Sequence, residues 1–268
     1  MMIDASKHTI HGANLSIAWA KAFVKCYETS GGIVSPAIVH FPAVLADTNL
    51  EVDAIRKIAD EKLCDPLKSI KGQSVIEKVA GTIFPQPIWR LSKGDRDQFF
   101  QNYLDMLPHI KRCKPNRRGV YFERMVAYPV TGKKTTNQLK HIIETWEAGN
   151  HRHSALQAGI FDPRTDHSNS RQQGFPCLQQ VAFHPHGTNG KDGMSIVAFY
   201  ANQTVVEKAY GNYLGLYRLG SFMAKEMGIK LKEVVCVASA LKLNNGLDKA
   251  SCEEEVKMIK AVLKNAGE

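Results

Sequence analysis

Residues 175–200 read FPCLQQVAFHPHGTNGKDGMSIVAFY, and two apolar runs in this stretch flank a turn rich in glycine. The runs are Leu178 to His184 and Met194 to Tyr200, and both contain the β-branched and aromatic residues that are typical of strands. Both also place apolar residues on the two alternating sides, which is the pattern of strands covered on both faces of a sheet. The stretch therefore predicts two neighbouring strands joined by the turn from His186 to Gly193.

The rest of the chain alternates between helical spacing and further short apolar runs. After the strand pair, the pattern predicts a helix from Tyr213 to Met227, a strand from Leu231 to Ser239 and a helix from Glu253 to Leu263. Five earlier segments have the spacing of helices: Asn14 to Glu28, Asn49 to Leu63, Gln73 to Phe84, Asp95 to Met106 and Thr136 to Ala148. Ile33 to Leu45 is typical of strands, and Val120 to Ala127 of a strand or a turn.

These elements predict an α+β fold, in which a mixed, mainly antiparallel sheet has helices packed on one face. The chain has 268 residues, near the upper size for a single hydrophobic core. Hydrophobic residues make up 44% of it and charged residues 23%, a composition too apolar for disorder. No repeat, low-complexity tract or linker divides the sequence, so we expect one domain over residues 1–268.

The cysteines favour reduced thiols over a zinc site or a disulfide framework. The chain has six, and no two of them form a CxxC pair. His184 and His186 flank Pro185 without a third ligand at metal-site spacing, so we interpret them as exposed residues of a turn. Neither a signal peptide nor an apolar run of about 20 residues is present, and we expect a cytoplasmic protein with no membrane partner.

The formal net charge of +9 favours an anionic partner. The basic clusters are short: Lys111, Arg112 and Lys114, then Arg117 and Arg118, then Lys133 and Lys134. Nucleic-acid binding is not expected, because aromatic residues do not alternate with these cations and no known module is recognisable. A basic solvated surface or a site for a nucleotide phosphate explains the charge better.

The segment Phe175-Pro176-Cys177, followed by the strand pair and by Asn212 at the start of a long helix, resembles the core of the thymidylate synthase and deoxycytidylate hydroxymethylase family. Three upstream segments are similar to family motifs: Arg118-Gly119-Val120-Tyr121, Thr136-Asn137-Gln138-Leu139 and Phe161-Asp162-Pro163. The resemblance is clearest over residues 119–239, with a weaker similarity at Ser74-Val75-Ile76-Glu77.

The resemblance implies a one-carbon transferase that acts at C5 of a pyrimidine nucleotide or a related base, with methylenetetrahydrofolate as cofactor. Cys177 would be the nucleophile, and Tyr121 and Glu77 would assist proton transfer. Asn212 would bind the pyrimidine, and the remaining substrate contacts would be Arg152, His153 and Arg171. With Arg171 and Arg152 nearby, we expect the Cys177 thiol to have a lowered pKa and to be the most reactive of the six. A homodimer through the back of the sheet is also implied.

Several positions depart from the family pattern, which leaves a second function open. Two phosphate-binding arginines are replaced, one by Ser30-Gly31-Gly32 and one by Asn202. The ring-binding Asp falls on Val205 and the ribose-binding His-x-Tyr on Lys242-Leu243-Asn244. The alternative is a non-catalytic protein of the same fold, serving as a nucleotide-binding or scaffold subunit.

Each site residue also has a structural interpretation. Cys177 would then be a small buried hydrophobe, and Asn212 a helix N-cap. Glu77 would be a solvated helix charge, and Tyr121 a core aromatic residue in a strand-like stretch.

Overall fold

A computed structural model of the chain describes residues 7–43, 49–63, 74–132, 134–149, 152–169, 175–243 and 249–268. Its strands are β1 (Thr9–His11), β2 (Ile33–Val34), β3 (Ala37–Pro42), β4 (Tyr128–Pro129), β5 (Thr135–Thr136), β6 (Gln157–Gly159), β7 (Leu178–Pro185), β8 (Met194–Tyr200), β9 (Gln203–Thr204), β10 (Leu231–Ala238) and β11 (Leu241–Lys242). Its α-helices are α1 (Leu15–Glu28), α2 (Asp53–Lys57), α3 (Val75–Ile83), α4 (Gln86–Leu91), α5 (Arg96–Ile110), α6 (Tyr121–Val126), α7 (Gln138–Ala148), α8 (Pro163–Asp166), α9 (Tyr210–Glu226) and α10 (Glu253–Asn265).

The central sheet has six strands in the order β1-β3-β10-β8-β7-β6. The pairs β1–β3 and β10–β8 are parallel, and the other three pairs are antiparallel. The predicted hairpin is present, since β7 and β8 pair from Leu178↔Tyr200 to Pro185↔Met194. The fold is therefore α+β with a mixed, mainly antiparallel sheet, and this prediction is confirmed.

One face of the sheet packs against helices. The Phe41 ring of β3 lies 6.1 Å from the Tyr213 ring of α9, and a Cβ placed on Gly220 would lie 3.0 Å from Ile196 of β8. Side chains on the opposite face are more exposed, and Phe199 is 42% exposed there. Strand alternation explains the difference, because neighbouring residues of a strand point to opposite faces.

Most predicted helices are present, with shifted ends. Asn14 caps α1, since its side chain accepts a hydrogen bond from the backbone N–H of Ile17, and Gly149 ends α7 with a positive φ of 66°. The stretch that begins at Tyr121 is a helix, so the prediction of a strand or turn there is wrong. Its first turn is held by Glu123, whose carboxylate accepts a hydrogen bond from the backbone N–H of Val120.

Helices α3 and α9 pack closely through two glycines of α9. A Cβ on Gly211 would lie 2.5 Å from the Cβ of Val79, and a Cβ on Gly215 would lie 2.9 Å from the carbonyl oxygen of Ala80. Real Cβ atoms do not approach neighbours so closely, so only glycine allows this helix spacing. No helix among the described residues is long and apolar enough to cross a bilayer.

Candidate functional site

A cavity of about 300 Å³ lies at the end of the central sheet where β7 begins. Cys177, Tyr121 and Asn212 all line it. In the sequence, Asn212 lies 35 positions after Cys177 and 91 positions after Tyr121. Val79 and Thr82 of α3 form another part of the wall. The three residues that the sequence analysis grouped as nucleophile, assisting hydroxyl and base-binding amide therefore share one pocket.

Cys177 precedes β7 and is held by its backbone. Its carbonyl oxygen accepts hydrogen bonds from the N–H of Ala201, at 3.0 Å, and from the side-chain amide of Gln179, at 3.3 Å. Its side chain is partly buried and forms a hydrogen bond with the Tyr121 hydroxyl. The thiol is thus fixed at the pocket wall with a phenol beside it.

Tyr121 is positioned by the start of α6 and by Phe175. The two rings lie 5.4 Å apart and are tilted by 31°. A Cβ on Gly119 would lie 2.4 Å from the Phe175 ring, and its φ is 149°, so glycine is needed where the chain passes under that ring. Burial and the nearby Cys177 raise the pKa of Tyr121 above its ordinary value, so at neutral pH it carries its proton and can donate it in a hydrogen bond.

The Cys177 thiol is not acidic in this structure. Burial raises its pKa above the ordinary value of 9.0, while the positive charge of Lys208 and the Tyr121 hydrogen bond lower it by less. The expectation of a lowered pKa is therefore wrong. Cys113 is exposed, so Cys177 is also not the most accessible thiol.

Asn212 is the third residue of α9 and does not cap it. The helix is preceded by a π-helical turn, Val205–Ala209, so the backbone N–H groups of the first turn are already within a helical run. Asn212 is only 4% exposed, and the described part of the chain offers its side-chain amide no hydrogen bond. A buried amide without partners lining a cavity is a group available to a ligand.

A second amide in the pocket also lacks a partner. The Oδ1 atom of Asn202 is buried and accepts no hydrogen bond from the residues that the structure describes. Asn202, where the resemblance predicted the loss of an arginine, lines the cavity as an uncharged group. Thr204 lines the cavity as well, whereas Val205, where the resemblance predicted the loss of an Asp, is fully buried in the core.

The π-helical turn brings two charged residues to the pocket that the sequence analysis missed. Glu207 and Lys208 both line it, and among the lining residues that the structure describes no other carries a formal charge at neutral pH. The turn is anchored by Trp19, whose Nε1–H donates to the carbonyl oxygen of Val205 at 2.8 Å. Turns of this kind are rare and occur frequently at functional sites, but no periodicity in so short a run identifies them.

Glu77 lies outside the pocket, on the exposed side of α3. Its carboxylate forms ion pairs with Arg218 of α9, at 2.6 Å, and with Arg56 of α2, at 2.9 Å. Those hydrogen bonds hold the pKa of Glu77 at about 2 against the desolvation that raises it. A carboxylate so strongly ionised cannot exchange protons at neutral pH, so the structure does not support Glu77 as a catalytic residue.

Neither of the two predicted phosphate-binding residues that the structure describes joins the site. Arg152 and His153 are exposed and do not line the cavity, and the His153 ring instead lies 5.2 Å from that of His184. Arg171 lies outside the described residues. No described group of three or more His, Cys, Asp or Glu residues is arranged to hold a metal ion.

Comparison with known proteins adds no relative. No model of a known protein family matches the chain, and no curated protein matches it. The residues of the pocket are therefore the evidence for a function.

Proposed function

We propose that the chain is a divergent thymidylate synthase-like protein that uses Cys177 to add to C6 of a pyrimidine ring and so activates C5 for one-carbon transfer. The observation that carries the proposal is the shared pocket of Cys177, Tyr121 and Asn212. A nucleophile, a neutral hydroxyl donor and a free amide on one wall are the groups that this addition needs.

The addition moves charge toward atoms that the pocket can stabilise. Cys177 loses its proton to solvent, its sulfur bonds to C6, and the electron pair of the C5–C6 double bond moves to C5 and the C4 oxygen. The amide of Asn212 can donate to that oxygen and accept from N3–H. C5 then accepts a proton or a one-carbon unit, and loss of the C5 proton expels the sulfur. Tyr121 donates a hydrogen bond to the thiolate before it attacks C6 and again after it is expelled.

A one-carbon donor is needed for transfer, and the resemblance implies methylenetetrahydrofolate. The pocket is at the lower end of the roughly 300–1,000 Å³ range of ligand pockets. Its described lining supplies groups that suit a pyrimidine, and we derive no step through the folate. We also propose the cytoplasmic location that the sequence predicted, because a thiol nucleophile must stay reduced.

Exchange of the C5 hydrogen tests the proposal without a cofactor. Deoxyuridine and deoxycytidine nucleosides and nucleotides are incubated with the protein in D₂O, and loss of the C5 proton signal is followed by NMR. We expect exchange with the wild type and none with Cys177→Ser or with Asn212→Ala. Exchange that persists in Cys177→Ser, or an absence of exchange with every pyrimidine, would contradict the addition step.

A non-catalytic, nucleotide-binding role is the second candidate. It is favoured by the raised pKa of Cys177 and by the ion pairs that engage Glu77. In this case pyrimidines bind in the pocket, Asn212→Ala weakens binding, and neither the wild type nor Cys177→Ser exchanges C5 hydrogen.

We also propose a homodimer through the exposed face of the sheet. Phe199, Val197, Val235 and Val237 form an apolar strip on this face, on the two central strands β8 and β10. Beside the strip, Glu233 accepts a hydrogen bond from Ser195 at 2.5 Å and lies 2.6 Å from His40. An apolar centre with a polar margin is typical of subunit interfaces.

A further inference from the structure

The loop between α5 and α6, residues 111–118, contains five cations. We call it the basic loop, and its cations are Lys111, Arg112, Lys114, Arg117 and Arg118. The backbone fixes its path, because the N–H of Asn116 donates to the carbonyl of Cys113 at 2.9 Å and the N–H of Gly119 to that of Asn116 at 3.1 Å. A short 3₁₀ turn, Lys114–Asn116, occupies its centre.

The basic loop forms part of the pocket rim. Pro115 and Asn116 line the cavity from the side of the loop. Lys114 precedes Pro115 and Arg117 follows Asn116, and each pair of neighbouring Cα atoms is about 3.8 Å apart. Both Lys114 and Arg117 are exposed. Their flexible side chains can therefore reach a group that projects from the cavity.

Three of the five cations on this loop have no ion pair with the described residues. Lys111 pairs with Glu123 at 2.7 Å. The described part of the chain provides no ion-pair partner for Arg112, Lys114 or Arg117. Three neighbouring cations without partners repel one another, and an anion placed between them relieves that repulsion.

The inside of the pocket is a poor place for a phosphate. Among the described residues that line it, Lys208 is the single cation, and Glu207 beside it carries the opposite charge. A phosphate monoester has a charge of about −1.5 to −2 at neutral pH, so a phosphate buried there would lack compensation. The uncharged amides of Asn202 and Asn212 suit a base, whereas the cations lie at the rim.

Resting on the proposed function, we infer that the basic loop binds the phosphate chain of a pyrimidine nucleoside di- or triphosphate whose base occupies the Cys177 pocket. Arg112, Lys114 and Arg117 supply three positive charges, more than one phosphate group balances. The phosphate chain lies outside the cavity. Cations at the rim take the place of the phosphate-binding arginines that the resemblance implies.

Calorimetric titration of a ligand series tests this inference. The series is deoxyuridine and deoxycytidine with zero, one and three phosphates, inorganic tripolyphosphate, and a short single-stranded oligopyrimidine. The variant is Lys114→Gln/Arg117→Gln, and the matched control is Lys191→Gln/Lys264→Gln, which removes two exposed positive charges elsewhere. We expect each triphosphate to bind roughly 3- to 150-fold more tightly than its nucleoside, because three solvent-screened cations contact the added phosphates.

The expected pattern is specific to the basic loop. The gain from the phosphates is lost in Lys114→Gln/Arg117→Gln and kept in the control, while nucleoside affinity is the same in all three proteins. If the nucleosides bind but added phosphates bring no gain, or the gain survives in the variant, the inference is wrong and the base pocket stands.

Two further outcomes separate this inference from the proposed function. Tripolyphosphate binding that the variant loses, without any nucleoside binding, supports the anion site and contradicts the pyrimidine site. An oligopyrimidine that binds more tightly than the triphosphate, with a steep salt dependence, overturns the nucleotide assignment in favour of a nucleic acid chain.

Discussion

At Cys177, burial and charge act on the thiol in opposite directions. Burial raises its pKa, and Lys208 and Tyr121 lower it by less. Lys208→Gln removes the positive charge that lowers the pKa of the thiol, so this pKa rises further. We therefore expect alkylation of Cys177 at pH 8 to slow by roughly two- to tenfold and its pH profile to move to higher pH.

The measurement is mass-spectrometric quantification of iodoacetamide adducts on the native protein. Cys113 is exposed and serves as an internal reference whose rate stays constant. Lys191→Gln is the matched charge control. An unchanged rate for Cys177 in Lys208→Gln would show that Lys208 does not act on the thiol.

At this scale, the sequence predicts the uncharged part of the site better than the charged part. The resemblance grouped Tyr121, Cys177 and Asn212, and all three line one pocket, because the strand pair and α9 bring those positions together. Glu77 could not be placed, since its partners Arg56 and Arg218 lie 21 and 141 positions away. Lys208 was missed because its exposure to the pocket depends on the π-helical turn.

Among the elements, the contact between α3 and α9 fixes the pocket, since α3 contributes Val79 and α9 contributes Asn212. Gly215→Ala would push a Cβ to within 2.9 Å of Ala80, and we expect it to lower the free energy of unfolding by about 1–3 kcal/mol. Urea denaturation measures the change.

Gly81→Ala is a matched control within the same helix pair. A Cβ at Gly81 in α3 meets no atom within 4 Å, so alanine there should raise the free energy of unfolding by about 0.5–1 kcal/mol through higher helix propensity. If Gly215→Ala and Gly81→Ala change the free energy of unfolding in the same direction, the contact of Gly215 with α3 does not determine the spacing of α3 and α9.

Glu77 joins three helices through its ion pairs with Arg56 and Arg218. Its pKa of about 2 lies below the ordinary 4.5, so its contribution to stability is present above pH 4.5 and is lost as pH falls toward 2. Glu77 is 44% exposed, and solvent screening limits the effect. We expect Glu77→Gln to cost about 1 kcal/mol at pH 7 and less at pH 3.

Thermal unfolding of both proteins at the two pH values checks this expectation. The C5-hydrogen exchange of Glu77→Gln serves as the second readout. A variant as stable as the wild type but unable to exchange C5 hydrogen would reverse our assignment and make Glu77 a catalytic residue.

Long elements were predictable because their period extends over several turns, as in α1, α7 and α9. The six-residue helix α6 was not, since a single turn and a half fits strand and helix patterns equally. Helix α4 directly follows Pro85 with Pro87 in its first turn, where proline is compatible with a helix. Those prolines had predicted only the end of α3.

For the whole molecule, the exposed sheet face predicts the oligomeric state. Phe199→Asp places a charge in the centre of the apolar strip, and we expect it to convert a dimer of twice 29.8 kDa into a monomer of 29.8 kDa. Light scattering coupled to size exclusion measures the mass.

Leu91→Asp is the matched control, because Leu91 is 76% exposed on α4, away from the sheet. It should leave the dimer intact. A wild type that stays at 29.8 kDa over micromolar concentrations would contradict the interface.

Four of the six strands of the central sheet could be predicted from their apolar runs, but β1, β6 and the strand order could not. Alternation identifies strands and faces, whereas the parallel pairing of β10 with β8 depends on how α9 crosses the sheet. The exposed face follows from the same geometry, because it lies opposite the side that α9 occupies.

Protection of Cys177 by ligands tests the central claim, that the pocket around this thiol binds a pyrimidine nucleotide. The native protein is alkylated with iodoacetamide in increasing concentrations of deoxyuridine and deoxycytidine triphosphates, and modification of Cys177 and Cys113 is quantified by mass spectrometry. We predict saturable protection of Cys177 by one of the nucleotides, weakened in Asn212→Ala, with Cys113 unaffected. Modification of Cys177 that stays constant up to millimolar nucleotide would contradict the claim.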